Sequence, residues 1–172
     1  MDHPQTISFY LKGPYFEFSN FYLSPVKIDG FVYPSSEHAY QALKFLGPDQ
    51  TYRSREYATI IGSTNTAGKA KILANQKRVG GYKWKTDLNP TIEAYADVKI
   101  RKDWLESRDN VMRSIVQAKF QQHPKLKAML IETGSLPIEE DSPRDDYWGV
   151  GKDRTGKNML GIILMEVRAL LK

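Results

Sequence analysis

The chain has 172 residues, 41% of them hydrophobic and 26% charged, which is ordinary for a globular protein and excludes a disordered or collagen-like chain. This length favours one domain with one core, and we expect residues 1–172 to form it. The lack of cysteine excludes disulfides, thiolate metal sites and a cysteine nucleophile. The formal net charge of +5 should attract anions, either small phosphorylated ligands or nucleic acid.

The sequence carries no sign of a membrane or secreted protein. No apolar run approaches the roughly 18 residues of a membrane span. The N-terminus, Met1 to Pro4, lacks the basic start and apolar stretch of a signal peptide. We therefore expect a cytoplasmic protein that makes no membrane contact.

Two short β elements are predicted near the N-terminus. Ile7, Phe9 and Leu11 alternate with polar residues, which is the spacing of a half-buried strand. Two apolar pairs, at residues 26–28 and 31–33, flank Asp29-Gly30, a dipeptide suited to the positive φ angles of a two-residue turn. The sequence therefore predicts a strand followed by a β-hairpin.

The rest of the chain is predicted to be mostly helical. Ser35 can cap a helix that ends near Gly47, and Asn158 is placed to cap a C-terminal helix with a long apolar stripe. Between them we predict helices at residues 53–61, 66–76, 109–121 and 124–132. Residues 77–98 and 134–157 show no periodicity. The predicted fold class is α+β, a compact domain with more helix than strand.

Three polar residues of the helix after Pro34 share one face. Glu37, Gln41 and Lys44 lie within about 60° of each other at 100° per residue, nearly opposite the apolar stripe. The simpler interpretation is a solvated surface, with an acid near the helix N-terminus where the helix dipole favours it. The alternative is the floor of a cleft, in which a carboxylate activates water and a lysine neutralises a phosphate.

Residues 139–146 contain five acids, and the simpler interpretation of most of them is an acidic surface loop. Their spacing is not that of a calcium loop, and the three histidines are scattered, so we expect no metal site.

Residues 151–157 (GKDRTGK) approach a P-loop, but Asn158 stands where that motif needs Ser or Thr for magnesium. Amide groups at this helix start could still receive a phosphate.

An ordered set of sequence blocks resembles the YbiA-like, or NADAR, family over nearly the whole chain. The blocks are residues 18–21 (FSNF), 33–45 (YPSSEHAYQALKF), 111–112 (VM), 118–120 (AKF), 133–134 (TG), 140–145 (EDSPRD), 148–151 (WGVG) and 158–161 (NMLG). The resemblance implies an α+β fold and N-glycosidase activity. The implied substrates are phosphorylated ribosylamine intermediates of riboflavin synthesis, or ADP-ribose linked to a base. The same family would need no metal or redox cofactor.

Carried over position by position, the resemblance also implies a site. Glu37 and Asp145 would form an acidic pair, with Lys44 as a phosphate contact or catalytic amine. Trp148 could stack on the base. The ribose and phosphate pocket would be shaped by Asn20, Gln41, Gly149, Gly151 and Asn158.

A non-catalytic module is the alternative, binding ADP-ribose, a nucleotide or nucleic acid through its positive charge and 20 aromatic residues. An enzyme should bury Glu37 and Asp145, whereas a binding module should line an open groove with aromatic and basic side chains. Nucleic acid could also enter as the carrier of an ADP-ribosylated base.

Overall fold

The computed structural model describes residues 6–172, so the N-terminal residues used to exclude a signal peptide lie outside its described part. The described residues form two compact units: residues 6–24 together with Met112–Lys172, and Pro25–Val111. That residues 1–172 form one domain stays a prediction. Within residues 6–172 no helix is both long and apolar enough to cross a membrane.

The α+β class with more helix than strand is confirmed. The elements in chain order are β1 (Ile7–Phe9), a 3-10 turn (Phe16–Phe18), β2 (Leu23–Ile28), β3 (Phe31–Ser35), α1 (Ser36–Leu43), α2 (Tyr52–Gly62), α3 (Ala67–Asn75), α4 (Lys83–Thr86), α5 (Asn89–Ala94), α6 (Trp104–Gln122), α7 (Pro124–Glu132), β4 (Ile138–Glu140) and α8 (Met159–Leu171). The four predicted internal helices correspond to α2, α3, α6 and α7, although α6 begins earlier than predicted. The segment 77–98, which has no periodicity, holds the short helices α4 and α5.

In the unit Pro25–Val111 a hairpin leads into a helix packed on two others. The β2–β3 turn has Asp29 at φ 48 and Gly30 at φ 85, as the dipeptide predicted. Ser35 caps α1 by accepting from the His38 amide at 3.4 Å. The helix ends before Gly47 because its last turn tightens, with bonds to carbonyls three residues back (Phe45 N to Ala42 O, Leu46 N to Leu43 O).

In the other unit β1 pairs in parallel with β4, with Ile7 opposite Ile138. β4 lies in the segment 134–157, which shows no periodicity, because three residues are too few to show an alternating pattern. Leu11, predicted as part of the first strand, follows the end of β1 and is exposed. Helix α8 packs on β4 and on α7.

Helix α8 approaches β4 so closely that its third residue must lack a side chain. A Cβ added at Gly161 would overlap the carbonyl oxygen of Ile138 and the side-chain amide of Asn158. Both neighbours are fixed by hydrogen bonds, since the Asn158 amide donates to the Ile138 carbonyl at 2.9 Å. The backbone contact between α8 and β4 therefore requires glycine at this position.

We predict that Gly161→Ala lowers the free energy of unfolding by about 2 kcal/mol or more, because the added methyl group must push a helix away from a strand. Gly68→Ala is the matched control. Gly68 also lies near the start of a helix, but a Cβ there meets nothing within 4 Å. That substitution should raise the free energy of unfolding by up to about 1 kcal/mol. Urea denaturation followed by circular dichroism measures both, and equal effects of the two substitutions would contradict the argument.

Candidate active site

Helix α1 buries the polar face that carries Glu37 and Gln41. Glu37 is 6% exposed and Gln41 3%. The opposite face is buried as well, with Ala39 and Ala42 fully inaccessible. The interpretation of this face as a solvated surface is therefore wrong. Helical periodicity could not reveal this, because it reports an apolar stripe and not whether the polar face is also covered.

Glu37 and Gln41 interact directly across one helical turn. The Gln41 Nε2 group donates to Glu37 Oε1 at 2.8 Å. Gln41 Oε1 is buried and has no hydrogen-bond partner in the described part of the chain. A buried carboxylate needs such a donor, because transfer of a charge out of water is costly unless it is hydrogen-bonded. Gln41 therefore orients the acid and presents an unsatisfied acceptor beside it.

Lys44 follows on the same face at the end of α1. Its side chain is half-buried, and Nζ lies 5.4 Å from the centre of the Tyr40 ring. Burial lowers the pKa of Lys44 most strongly, and Lys71 lowers it further, whereas the charge of Glu37 raises it. The amine is thus less basic than an ordinary lysine and is electrostatically coupled to the buried acid.

His38 has a structural part in α1. Its Nε2 lies 2.9 Å from the Thr64 carbonyl and its Nδ1 2.7 Å from Ser35 Oγ. A carbonyl only accepts, so Nε2 carries the proton and Nδ1 of the neutral ring accepts from the serine hydroxyl. Burial, the largest effect, lowers the pKa of His38 and keeps the ring neutral. Both nitrogens hold the helix start in place, which leaves no atom for general base catalysis.

In the other unit Asp145 holds a tight turn. Its Oδ1 accepts from the backbone amides of Tyr147 at 3.0 Å and Trp148 at 2.8 Å. Trp148 is half-buried, with its ring edge-on to that of Tyr147 at 5.1 Å. The carboxylate therefore fixes the position of the tryptophan that follows it.

The predicted pocket glycines serve close backbone packing. A Cβ at Gly149 would lie 2.8 Å from the Glu140 carbonyl oxygen, and Gly151 has φ +71. The amides of Asn158, Met159 and Leu160 donate to carbonyls of residues 149, 147 and 148. The interpretation that amides at this helix start receive a phosphate is therefore wrong for these three groups, because they are already bonded.

Asn158 precedes α8 but does not cap it. The residue adopts φ 52, with no side-chain capping bond, and its Oδ1 instead accepts from the Glu140 amide at 3.0 Å. Its amide group donates to Ile138, so the side chain closes a bridge to β4. The predicted capping role is wrong, whereas a contact of Asn158 with substrate stays a prediction.

The acidic stretch is partly neutralised by one arginine. Arg154 pairs with Glu139 and with Asp141, and its side chain is half exposed. In residues 6–172 no group of three or more His, Asp or Glu side chains is arranged to hold a metal ion. Asp141 and Asp146 are exposed, as predicted for a surface loop, whereas Glu139 and Glu140 belong to β4 and, like Asp145, are half-buried.

Lys119 is only 1% exposed and was not among the predicted site residues. Its Nζ donates to the carbonyls of Glu17 at 2.6 Å and Ser19 at 2.9 Å, which fixes the turn that carries Asn20. Asn20 is buried, donates to Met112 Sδ at 3.3 Å, and leaves its Oδ1 without a hydrogen-bond partner among the described residues. One signal was available: Lys119 falls in the helical stripe of Met112, Ile115 and Val116.

The structure thus gathers the predicted residues in two groups. Glu37, Gln41 and Lys44 lie together on α1, and Asp145, Trp148 and Gly149 lie together in one loop of the other unit. That Glu37 and Asp145 form an acidic pair stays a prediction.

In a helix-rich α+β fold, a buried carboxylate held by a hydrogen bond is a feature typical of enzymes. The chain belongs to the NADAR domain family, whose model matches residues 8–172.

Three relatives of this chain carry names that state a function. N-glycosidase YbiA of Escherichia coli is 37% identical over 96% of this chain and 88% of its own length. Its NMR structure matches with a TM-score of 0.74, 32% identity, and coverage of 99% of this chain and 87% of that one. N-glycosidase Npun_R5314 of Nostoc punctiforme is 32% identical over 95% and 90% of the two chains. A riboflavin biosynthesis protein of Vibrio vulnificus, VVA0006, is 34% identical over 90% of this chain and 35% of its own length. This chain is an N-glycosidase of the same family.

We predict that Lys119 makes stability depend on pH in the alkaline range. Burial lowers its pKa in the folded chain to about 7, against 10.5 for an ordinary lysine. Between these values the unfolded chain holds a proton that the folded chain lacks, so the free energy of unfolding should rise with pH from about 7 to about 10.5.

Urea unfolding at about pH 7 and about pH 9 measures this dependence. The gain in free energy of unfolding over that interval should be smaller for Lys119→Met than for the unchanged chain. Lys125→Met, which replaces an exposed lysine of α7, is the control and should keep the full gain. The assignment fails if the two variants show the same gain.

Proposed function

We propose that the chain hydrolyses the N-glycosidic bond between a nitrogen and a ribose that carries a phosphate or diphosphate. The substrate would be a phosphorylated ribosylamine intermediate of riboflavin synthesis, or ADP-ribose linked to a base. The riboflavin branch is supported by the name of the Vibrio vulnificus relative. The net charge of +5 suits either anionic substrate. We expect the reaction to take place in the cytoplasm.

One observation carries the chemical part of this proposal: Glu37 is a carboxylate buried on a helix and held by Gln41. Cleavage of an N-glycoside passes through a cation-like sugar, so a fixed negative charge in a site of low dielectric stabilises the transition state. The same carboxylate could activate the attacking water. Burial strengthens either effect, because fewer water molecules screen the charge.

Lys44 and Gln41 complete this half of the site. A lysine with a lowered pKa can give a proton to the departing nitrogen more readily than an ordinary lysine, or it can bind the phosphate. The buried Gln41 Oε1, which has no partner among residues 6–172, suits a ribose hydroxyl as donor. Gln41 would thus bind the ribose, and Lys44 would serve the departing nitrogen or the phosphate.

The loop that carries Asp145 would supply the second acid and the surface for the base. The Asp145 Oδ1 atom accepts from two backbone amides. The carboxylate would therefore act in catalysis as a negative charge held in a fixed orientation. Trp148 offers a ring for stacking. Asn20, with a buried Oδ1 that no described residue satisfies, would contact the sugar.

The substrate assay separates the candidate functions. The chain is incubated, with chelator present, with phosphoribosylamino-pyrimidine intermediates, and separately with nucleoside or DNA bearing base-linked ADP-ribose. We expect free ribose phosphate from the first or free ADP-ribose from the second, at a rate that the chelator does not change. Binding of either compound without release would favour the non-catalytic binding module. Activity that only a divalent ion restores would contradict the metal-free reaction.

We predict that Glu37→Gln and Asp145→Asn each lower turnover by about a hundredfold or more, as removal of a positioned acid or base does. Both substitutions keep an oxygen that accepts the observed hydrogen bonds, from Gln41 in one case and from two backbone amides in the other. The fold should therefore survive, which circular dichroism checks. If the two acids act on one substrate, the double variant should be little worse than the poorer single one.

Two further variants serve as controls. Glu139→Gln removes an acid of the same stretch that pairs with the half-exposed Arg154, and its turnover should stay near normal. Asp145→Ala removes both the charge and the hydrogen bonds that hold the turn. If its turnover falls further than that of Asp145→Asn, the additional loss reports the contribution of Trp148 positioning. Normal turnover in a folded Glu37→Gln variant would remove Glu37 from the mechanism.

A further inference from the structure

Residues 77–89, which we call the aromatic-basic loop, expose two large rings to solvent. Tyr82 is 75% exposed and Trp84 44%. Aromatic side chains of this size are normally mostly buried, as Tyr57 is in the same unit at 0%. Two exposed rings within three residues therefore call for a partner that covers them.

Basic groups alternate with these rings. The loop contains four basic residues and one acid. Lys85 Nζ lies 5.3 Å from the centre of the Trp84 ring and 6.0 Å from that of Tyr82. Lys83 pairs with Asp87 at 2.7 Å and Arg78 with Glu93, and in both pairs all side chains are more than half exposed. Exposed pairs of this kind contribute little, so an anionic ligand can compete for the cations.

The backbone holds this loop in a closed conformation. The buried Asn89 side chain accepts from the Val79 amide and donates to the Val79 carbonyl, both at 2.9 Å. The chain bends at Gly81, which has φ +94, and α4 then fixes the residues between Tyr82 and Thr86. The rings are thus held by an ordered loop, so binding a ligand costs less conformational entropy than it would on a mobile loop.

We propose that the aromatic-basic loop binds single-stranded nucleic acid. Bases stack on the rings of Tyr82 and Trp84, and backbone phosphates lie against Lys83, Lys85 and Arg78. Stacking on exposed aromatic rings beside basic groups is how proteins bind single strands without sequence preference. Unpaired bases are needed, because the faces of paired bases are covered within a duplex. This binding is separate from the N-glycosidase reaction proposed above.

An anionic membrane surface is the other partner that attracts aromatic and basic residues, but the loop lacks an apolar face to insert. Its aliphatic side chains, Val79 and Leu88, are half-buried. Helix α4 has only four residues, too few for an amphipathic helix lying in the interface. The observations therefore favour a nucleic acid.

Fluorescence anisotropy of a labelled oligothymidylate of about 15 nucleotides tests the proposal with the full chain. At about 50 mM salt we expect binding, and a same-length duplex should bind more weakly. Tyr82→Ala and Trp84→Ala should each weaken binding by about 5-fold to 150-fold, the range for loss of one stacked base. Lys83→Ala and Lys85→Ala should each reduce the salt slope by about 0.7.

Tyr52→Ala is the matched control, because Tyr52 is equally exposed in the same unit but lies outside the loop. It should leave the dissociation constant unchanged. The proposal is overturned if the oligonucleotide does not bind, or if its binding is unaffected in both ring variants. It is also overturned if vesicles containing phosphatidylserine bind the chain and the oligonucleotide does not. The oligonucleotide carries neither a phosphorylated ribosylamine nor a base-linked ADP-ribose, so these outcomes leave the proposed N-glycosidase function untouched.

Discussion

The hydrogen bond between Gln41 and Glu37 is the interaction on which the buried polar face of α1 depends. A carboxylate cannot stay charged inside a protein unless donors replace the water that it has lost. Gln41, one turn further along the same helix, supplies such a donor at 2.8 Å, and both residues are almost fully buried. The acid is thereby fixed in direction before any substrate arrives, which is the condition for electrostatic stabilisation of a transition state.

The start of α1 is built to hold that face still. Ser35 caps the helix and also meets the neutral His38 ring, whose other nitrogen is bonded to the Thr64 carbonyl. Every polar atom of His38 is thus used to hold the backbone. The structure separates groups that maintain geometry from groups that remain available for chemistry, such as the buried oxygen of Gln41.

In the other unit, close backbone contacts fix the geometry, as side-chain hydrogen bonds do at the start of α1. Gly149 and Gly161 permit contacts that a Cβ would block, and Asn158 bridges β4. Residues in family blocks can therefore serve the fold of the loop rather than touch a ligand. Lys119 also serves the fold, since it holds the turn that carries Asn20.

Local sequence patterns were enough to predict the short-range elements and the family. The Asp29-Gly30 turn, the Ser35 cap and four helices follow from short-range preferences, and ordered motifs identified the NADAR fold. Which polar residues are buried became visible in the folded chain alone. The Glu37 face has the polar residues of a solvated surface, yet Glu37 and Gln41 are buried. Lys119 was missed because the carbonyls that it binds, those of Glu17 and Ser19, lie about a hundred positions earlier in the chain. β4 was missed because its pairing with β1 joins residues more than a hundred positions apart. Burial and long-range pairing are properties of the packed chain, and local periodicity does not encode them.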